Sequence, residues 1–344
     1  MKKCLLLGVM LFVLLLAGCT QKKAVELSLA YHSSFPKDVE VKLEKKSFSP
    51  ETKSTWDMYV FGDRILLPAS EMDNSDYKFA MFGFPTMDFV GYVGARSEFG
   101  RGTMVAKGEN ELFLKNKDGI VIYQLESDSL RKSSVLDFPD GDCPVMRRLG
   151  DNRWVYENDH RTDDLCEFFI YDASSGTVRA CGVYPNVHDR RQFKDLKAFK
   201  GAYVHGVRTK PDGTRVLVFY QATRRYRIYD SEGVMLYDGM MNYSDPSSSM
   251  LLTSNRNQQV WHYENAYVTD RYIYLLCMDR PLSDTSYGKP NLQVLGWDGN
   301  PVARFRLGEY ITAFYVDESR GKFYGVSATQ PGFMFTFDFG PLSK

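Results

Sequence analysis

The chain has 344 residues, 14% of them aromatic, and its 43 lysines and arginines balance its 43 aspartates and glutamates. Zero formal charge excludes the basic footprint of a nucleic-acid-binding surface, and no charge block or low-complexity tract marks a disordered segment. Such a length buries a large core, as one big β-domain or two smaller domains. The 22 tyrosines and 23 phenylalanines favour strands, where flat rings fit a pleated surface.

The N-terminus reads MKKCLLLGVMLFVLLLAGCTQKK. Lys2 and Lys3 precede an apolar run over residues 5–16 and then small residues, the layout of a secretory signal. The run is too short for a span of about 20 residues. Its end, Leu16-Ala17-Gly18-Cys19, resembles a bacterial lipobox. That resemblance implies cleavage before Cys19, a diacylglycerol thioether on its sulfur and acylation (palmitate, for example) of the new amino group. Two or three acyl chains anchor durably where one would be marginal. Thr20 in place of Asp implies the outer membrane by the same resemblance, and TQKK lacks the acidic run of surface-export signals, which implies a periplasm-facing domain. The expected organisation is a signal peptide over 1–18, a lipidated tether over 19–37 and one folded domain over 38–344.

Past the tether, short strand patterns follow one another, each group ending its third strand in an aromatic residue. These are Phe82, Tyr123, Tyr171, Tyr229, Trp297 and Phe337, at intervals of 40 to 68 residues. Six units with loop-borne variation in period suit four-stranded propeller blades. The fourth unit reads GAYVHGVRT, TRVLVFYQA, RYRIYD and VMLYDGM; the fifth reads NAYVTD, YIYLLCMD, LQVLGWD and PVARFRLG. Asp-Gly and Ser-Glu-Gly groups supply the tight turns. No long capped amphipathic helix appears. The sixth unit has ITAFYVDE, KFYGVSA and FMFTFDF but no fourth strand, while DVEVKLEKKSF at 38–48 is a strand without a unit. The expectation is an all-β, six-bladed β-propeller closed by that N-terminal strand, with Val39 and Val41 beside Phe335 and Phe337. A pair of β-sandwiches is the alternative.

The stretch GWDGNPVARFRLGEYITAFYVDESRGKFYGVS, 296–327, resembles the last blades of TolB-like six-bladed propeller lipoproteins of Bacteroides-type bacteria. The loop GARSEFGRG, 94–102, carries Glu98-Phe99 where related propellers have a Gly-rich loop, without their preceding Gly-Pro. The resemblance implies fold and location.

Of the cysteines beyond Cys4 and Cys19, none forms a CxxC pair. Cys166 and Cys181 flank the YDASSG turn and are either a hairpin disulfide or two buried thiols. His32, His160, His188, His205 and His262 have no local metal-ligand spacing, so no metal site is read. No nucleophile elbow, phosphate loop or dinucleotide fingerprint is present, and no cofactor is expected.

In a propeller, the second-to-third loops and the inter-blade loops share one face. Here they are the longer polar ones: 70–76, 157–164, 186–195, 221–225 and 279–290. Binding residues concentrate on such loops. The candidate rim is Asp159, His160, Arg161, Asp163, Asp164, His188, Arg190, Arg191, Arg224, Arg225, Asp279 and Arg280. Mixed arginines and carboxylates recognise peptides or sugars through paired hydrogen bonds; alternatively they are solvated loop charges. RRYRIY, 224–229, reads as a strand with outward arginines. The first functional expectation is a lipid-tethered, non-catalytic binding or scaffold module for an envelope protein or a peptide or glycan. The second is a glycoside hydrolase or lyase using Asp159, Asp163, Asp164 or Asp279. A third is a ligand sensor working through the central channel.

Overall fold

The computed structural model describes residues 27–50, 52, 57–69, 76–99, 105–107, 111–116, 119–136, 138, 146–157, 165–185, 191, 193, 195–242, 260–281, 283–284 and 288–342. The stretch 1–18 read as a signal peptide and Cys19 lie outside the described residues, as does Cys143. Three N-terminal strands come first: β1 (Ala30–His32), β2 (Lys37–Val41) and β3 (Glu44–Ser47). Blade 1 follows with β4 (Tyr59–Phe61), β5 (Arg64–Pro68), β6 (Tyr77–Gly83) and β7 (Phe89–Ala95). Blade 2 has β8 (Val105–Lys107), β9 (Glu111–Asn116), β10 (Gly119–Glu126) and β11 (Ser129–Leu136). Blade 3 has β12 (Met146–Arg148), β13 (Arg153–Glu157), β14 (Phe168–Asp172) and β15 (Thr177–Cys181). Blade 4 has β16 (His205–Thr209), β17 (Arg215–Tyr220), β18 (Arg225–Asp230) and β19 (Met235–Met241). Blade 5 has β20 (Val260–Val268), β21 (Tyr272–Pro281), β22 (Asn291–Gly296) and β23 (Pro301–Leu307). Blade 6 has β24 (Ala313–Asp317), β25 (Lys322–Ser327) and β26 (Gln330–Asp338), with β3 as its outer strand.

The six-bladed propeller is therefore closed by an N-terminal strand from the expected stretch 38–48, but by its second half rather than by Val39 and Val41. The stretch 38–48 is two strands rather than one. Val39 pairs with Phe305 on β23, in parallel, at the outer edge of blade 5. Ring closure falls to Glu44–Ser47, where Lys45 opposes Phe335 and Ser47 opposes Phe333. Lys42 and Leu43 break the strand between them. Upstream, Ala30–His32 lies within the segment read as tether and pairs in parallel with β19, Ala30 opposite Gly239 and His32 opposite Met241. The N-terminal segment thus straps blades 4, 5 and 6 in succession. It covers backbone edges that would otherwise be open to pairing with another chain. Asp38 holds β2 in place by accepting bonds from Arg304 and Arg306.

The core is divided among the blade interfaces. Among the described residues, six apolar clusters form, one at each contact between neighbouring blades. A strand inside such a ring is buried on both faces, because each face meets a different neighbour. On β17, Val216, Val218 and Tyr220 pack toward blade 3, while Leu217 and Phe219 pack toward blade 5. This explains why the sequence shows continuous apolar runs rather than strict alternation. It also settles the cysteines. Cys181 opposes Phe168 and packs toward blade 4, while Cys166 packs toward blade 2. They sit on opposite faces of one sheet and remain buried thiols.

Five of the six third-strand aromatics lie within their strands and Trp297 lies in the turn just past β22; three of them, Phe82, Tyr123 and Tyr229, adjoin a bulge between third and fourth strands. The register shifts fall at Met81/Phe82, Ile122/Tyr123, Ile228/Tyr229 and Val294/Leu295. A bulge adds local twist, which turns the outer strand away from its neighbours.

Candidate functional site: the loop face and the axial channel

Antiparallel order within each blade sends every second-to-third and fourth-to-first connection to one face. The loops at 70–76, 157–164, 186–195, 221–225 and 279–290 are all of these kinds. Asp159, His160, Arg161, Asp163, Asp164, His188 and Arg190 lie outside the described residues. Arg191 is exposed. The 186–195 connection ends in Asp195, which caps the short helix Leu196–Ala202 by accepting from the Ala198 amide at 2.7 Å.

Arg224 and Asp279 do meet, between blades 4 and 5. The Arg224 Nε donates to Asp279 Oδ1 at 2.8 Å, and the His262 Nδ1 lies 2.6 Å from the same oxygen. Burial would raise the Asp279 carboxyl, but the bonds from His262 and Arg224 outweigh it and hold it well below the usual carboxylate range. Asp279 also has φ of 47°, a left-handed conformation that a non-glycine residue adopts when its surroundings fix it. A carboxyl so held cannot donate a proton near neutrality, which removes Asp279 from the acid role proposed for it in glycoside cleavage. Arg280 folds back on its own loop: its Nη1 donates to the Asp284 carbonyl at 2.7 Å, and its guanidinium lies 5.5 Å from the Tyr310 ring centre.

The arginines of RRYRIY do not point outward. Arg225 and Arg227 share the face of β18 that meets blade 3, whereas Tyr226 and Ile228 meet blade 5. Arg225 grips Asp238 with both arms, Nε to Oδ1 at 2.7 Å and Nη2 to Oδ2 at 2.5 Å. Arg227 adds a bond to Asp238 at 3.0 Å and reaches Glu167 of blade 3 at 2.9 Å. Glu167 is fully buried and also accepts from the Tyr220 and Tyr229 hydroxyls. Burial pushes the Glu167 carboxyl up even with Arg227 beside it. Gly182, with φ of 69°, makes room: a Cβ there would stand 2.2 Å from Glu167 Oε2. Arg225 and Arg227 are thus bonded within the protein, not turned to the rim.

A second constellation lies at the axis, where the first strands of the blades come together. Asp57, just before β4, feels the charges of Arg147 on β12 and Arg208 on β16. Blades 1 and 4 are opposite in a ring of six, so groups from both can meet only at the centre. Arg208 donates Nε to the Ala266 carbonyl at 2.8 Å, Nη1 to the Val207 carbonyl at 2.9 Å and Nη2 to Asn265 Oδ1 at 2.8 Å. Glu157 accepts from the Val207 amide at 3.0 Å, and the Asn265 amide reaches the Thr312 carbonyl at 3.5 Å. These bonds link the inner parts of blades 3, 4, 5 and 6. Gly206 allows the Phe219 ring to lie close, since a Cβ would be 2.3 Å from it, and Arg208 sits 5.5 Å from that ring's centre.

Arg147, Glu157 and Arg208 are partly exposed and Asp57 is exposed, although protein surrounds all four. That combination describes side chains facing a solvent-accessible channel at the axis. Burial and then Arg147 push Arg208 down to about 9, and burial likewise lowers Arg147. Arginine keeps its proton at such values, so the shift marks an electrostatic cost. Asp57 is raised by burial, against the pull of Arg147 and Arg208. Sequence reading missed this ring. Its signal was polar residues within or beside first strands, in DMYVFG, PVMRRLG, GVRT and YENAY, where other strands carry aliphatics.

On the opposite face, a cleft of about 430 Å³ is lined by Phe61, Arg64, Leu125, Ser127 and Asp128. Its arginine is already paired with Asp63 and Asp128.

Fold and site together define a six-bladed β-propeller with a charged axial channel. Two solved structures share the architecture. A member of the DUF4221 family from Bacteroides vulgatus superposes with a TM-score of 0.58 at 11% identity, over 87% of this chain and 96% of that one. A Bacteroides fragilis protein described as exported gives a TM-score of 0.51 at 11% identity, over 90% and 99%. No family model matches the sequence, and no curated protein matches it.

Proposed function

We propose that this is a lipid-anchored envelope protein whose propeller is a non-catalytic binding or scaffold module, comparable to TolB-like lipoproteins, with an envelope protein or a peptide or glycan as ligand. The reading combines the lipobox at Cys19 with the likeness to an exported Bacteroides protein of the same fold. The observation that carries it is the direction of β1. It runs parallel to β19, so the chain enters from the face of the tight turns and heads toward the loop face. Eleven residue steps separate Cys19 from Ala30, at most about 40 Å of chain. An anchor at Cys19 holds the turn face toward the outer membrane and presents the long loops to the periplasm.

The test uses full-length protein in its own envelope. Labelled palmitate incorporates into the wild type and not into Cys19→Ala. A photo-crosslinker at Lys289, on the loop face, captures a defined neighbour, while one at Asn300, on the turn face, captures lipid. The reverse pattern, or glycan turnover by the purified protein, overturns the reading.

A further inference from the structure

We infer that the axial channel is a binding site for a small organic carboxylate bearing hydrogen-bond donors, held by Arg147 and Arg208 with Asp57 and Glu157 beside them. The inference rests on the binding-module reading and names the ligand chemistry within it.

Among the described residues, neither Arg147 nor Arg208 has a carboxylate within 4.0 Å, although both lie in the protein interior. Arg208 is fixed by three oxygens, all uncharged: two backbone carbonyls and the Asn265 amide. Arg147 donates only to the carbonyl of its own neighbour Met146, at 3.0 Å. Its side chain stays partly exposed. Two like charges in reach of each other, which feel Glu157 and Asp57 nearby but bond directly to neither, form a fork that a carboxylate fills with paired bonds.

Asp57 and Glu157 narrow the choice. Asp57 accepts no hydrogen bond among the described residues, and Glu157 takes one, from Val207. Their oxygens suit hydroxyl or ammonium donors on the ligand. Their charge also opposes a dianion, which favours a single carboxylate over phosphate. Two common chemistries satisfy both halves: a uronic acid, with carboxylate and hydroxyls, and a short peptide, with carboxylate and ammonium.

Titration calorimetry on the full-length, detergent-solubilised protein separates them. The probes are glucuronate, alanylalanine, inorganic phosphate and neutral glucose. At least one carboxylate binds saturably, phosphate binds more weakly and glucose does not bind. Arg147→Gln weakens the carboxylate about tenfold or more, the scale of one charge-assisted bond. Arg147→Lys, which keeps the charge but loses the fork, falls between. Arg147 makes one bond to the protein, so circular dichroism of both variants matches the wild type. The inference fails if neither carboxylate binds, if glucose binds equally, or if Arg147→Gln binds as tightly as the wild type. Its failure leaves the palmitate and crosslinking results untouched, and theirs leaves the calorimetry untouched.

Discussion

The contact between blades 3 and 4 and the channel at the axis are built from the same side chains, arginine and carboxylate, and differ in how the charges are matched. Between the blades, Arg227 bridges Glu167 and Asp238, Arg225 holds Asp238 with two arms, and two tyrosine hydroxyls complete Glu167. At the axis, among the described residues, Arg208 is bonded only to neutral oxygens and Arg147 to one carbonyl. A matched buried network fixes the register of two sheets. A mismatched one leaves bonding capacity for something else, and that is the mark of a site rather than a joint.

The sharpest way to break this contrast is Glu167→Ala. It takes one carboxylate from Arg227, which keeps only Asp238 and the Val183 carbonyl, and leaves two buried hydroxyls without their acceptor, and the expected cost is about 3–5 kcal/mol of unfolding free energy in urea. A cost below about 1 kcal/mol would put the joint and the channel in one class.

Asp279→Asn is expected to cost less, about 2 kcal/mol, because the shape is kept and only the charge assistance to Arg224 and His262 is lost. The pH dependence has a definite sign. The Asp279 carboxyl is depressed in the fold, so its contribution is present above the unfolded value near 3.9 and is lost as pH falls through the folded value. The variant therefore shows a shallower loss of stability on acidification than the wild type, measured by urea midpoints through the acid range.

Exposed pairs come next. Glu232 bridges Arg153 at 2.7 Å and Arg179 at 3.0 Å in open solvent. Glu232→Gln is expected to cost about 0.2–1 kcal/mol at low salt and nothing measurable in high salt.

The smallest effect belongs to the channel. Arg147→Gln should change stability by no more than about 0.5 kcal/mol, with a gain as acceptable as a loss, because the burial cost and the repulsion from Arg208 that it removes offset the attraction of Glu157 and Asp57 and one backbone bond. A loss of several kcal/mol would show that Arg147 is structural and would erase the comparison.

The fold was largely legible. Aromatics at the third-strand ends, tight-turn glycines and the missing last strand all report local geometry, and each unit repeats it. The exact closing residues were not legible. DVEVKLEKKSF has strand character throughout, and nothing local tells that Val39 belongs to blade 5 and Lys45 to blade 6. The connections that share one face were legible, but the bonded state of Arg224, Arg225 and Arg227 was not. Alternation in RRYRIY is real, yet which face meets solvent depends on the neighbouring sheet, and in a ring both faces meet one.

The axial ring was invisible for the same reason. Asp57, Glu157 and Arg208 are far apart in the chain, and only the circular arrangement brings opposite blades to one line.

By itself, the amino-acid order determined the short strands, their turns and the count of six units, because these depend on periodicity and on neighbours within a few residues. Tertiary structure alone decided which charges are matched, where the N-terminal strap lies and what faces the channel. Those outcomes depend on distances across the ring, between residues that the chain keeps apart by up to 300 positions or so.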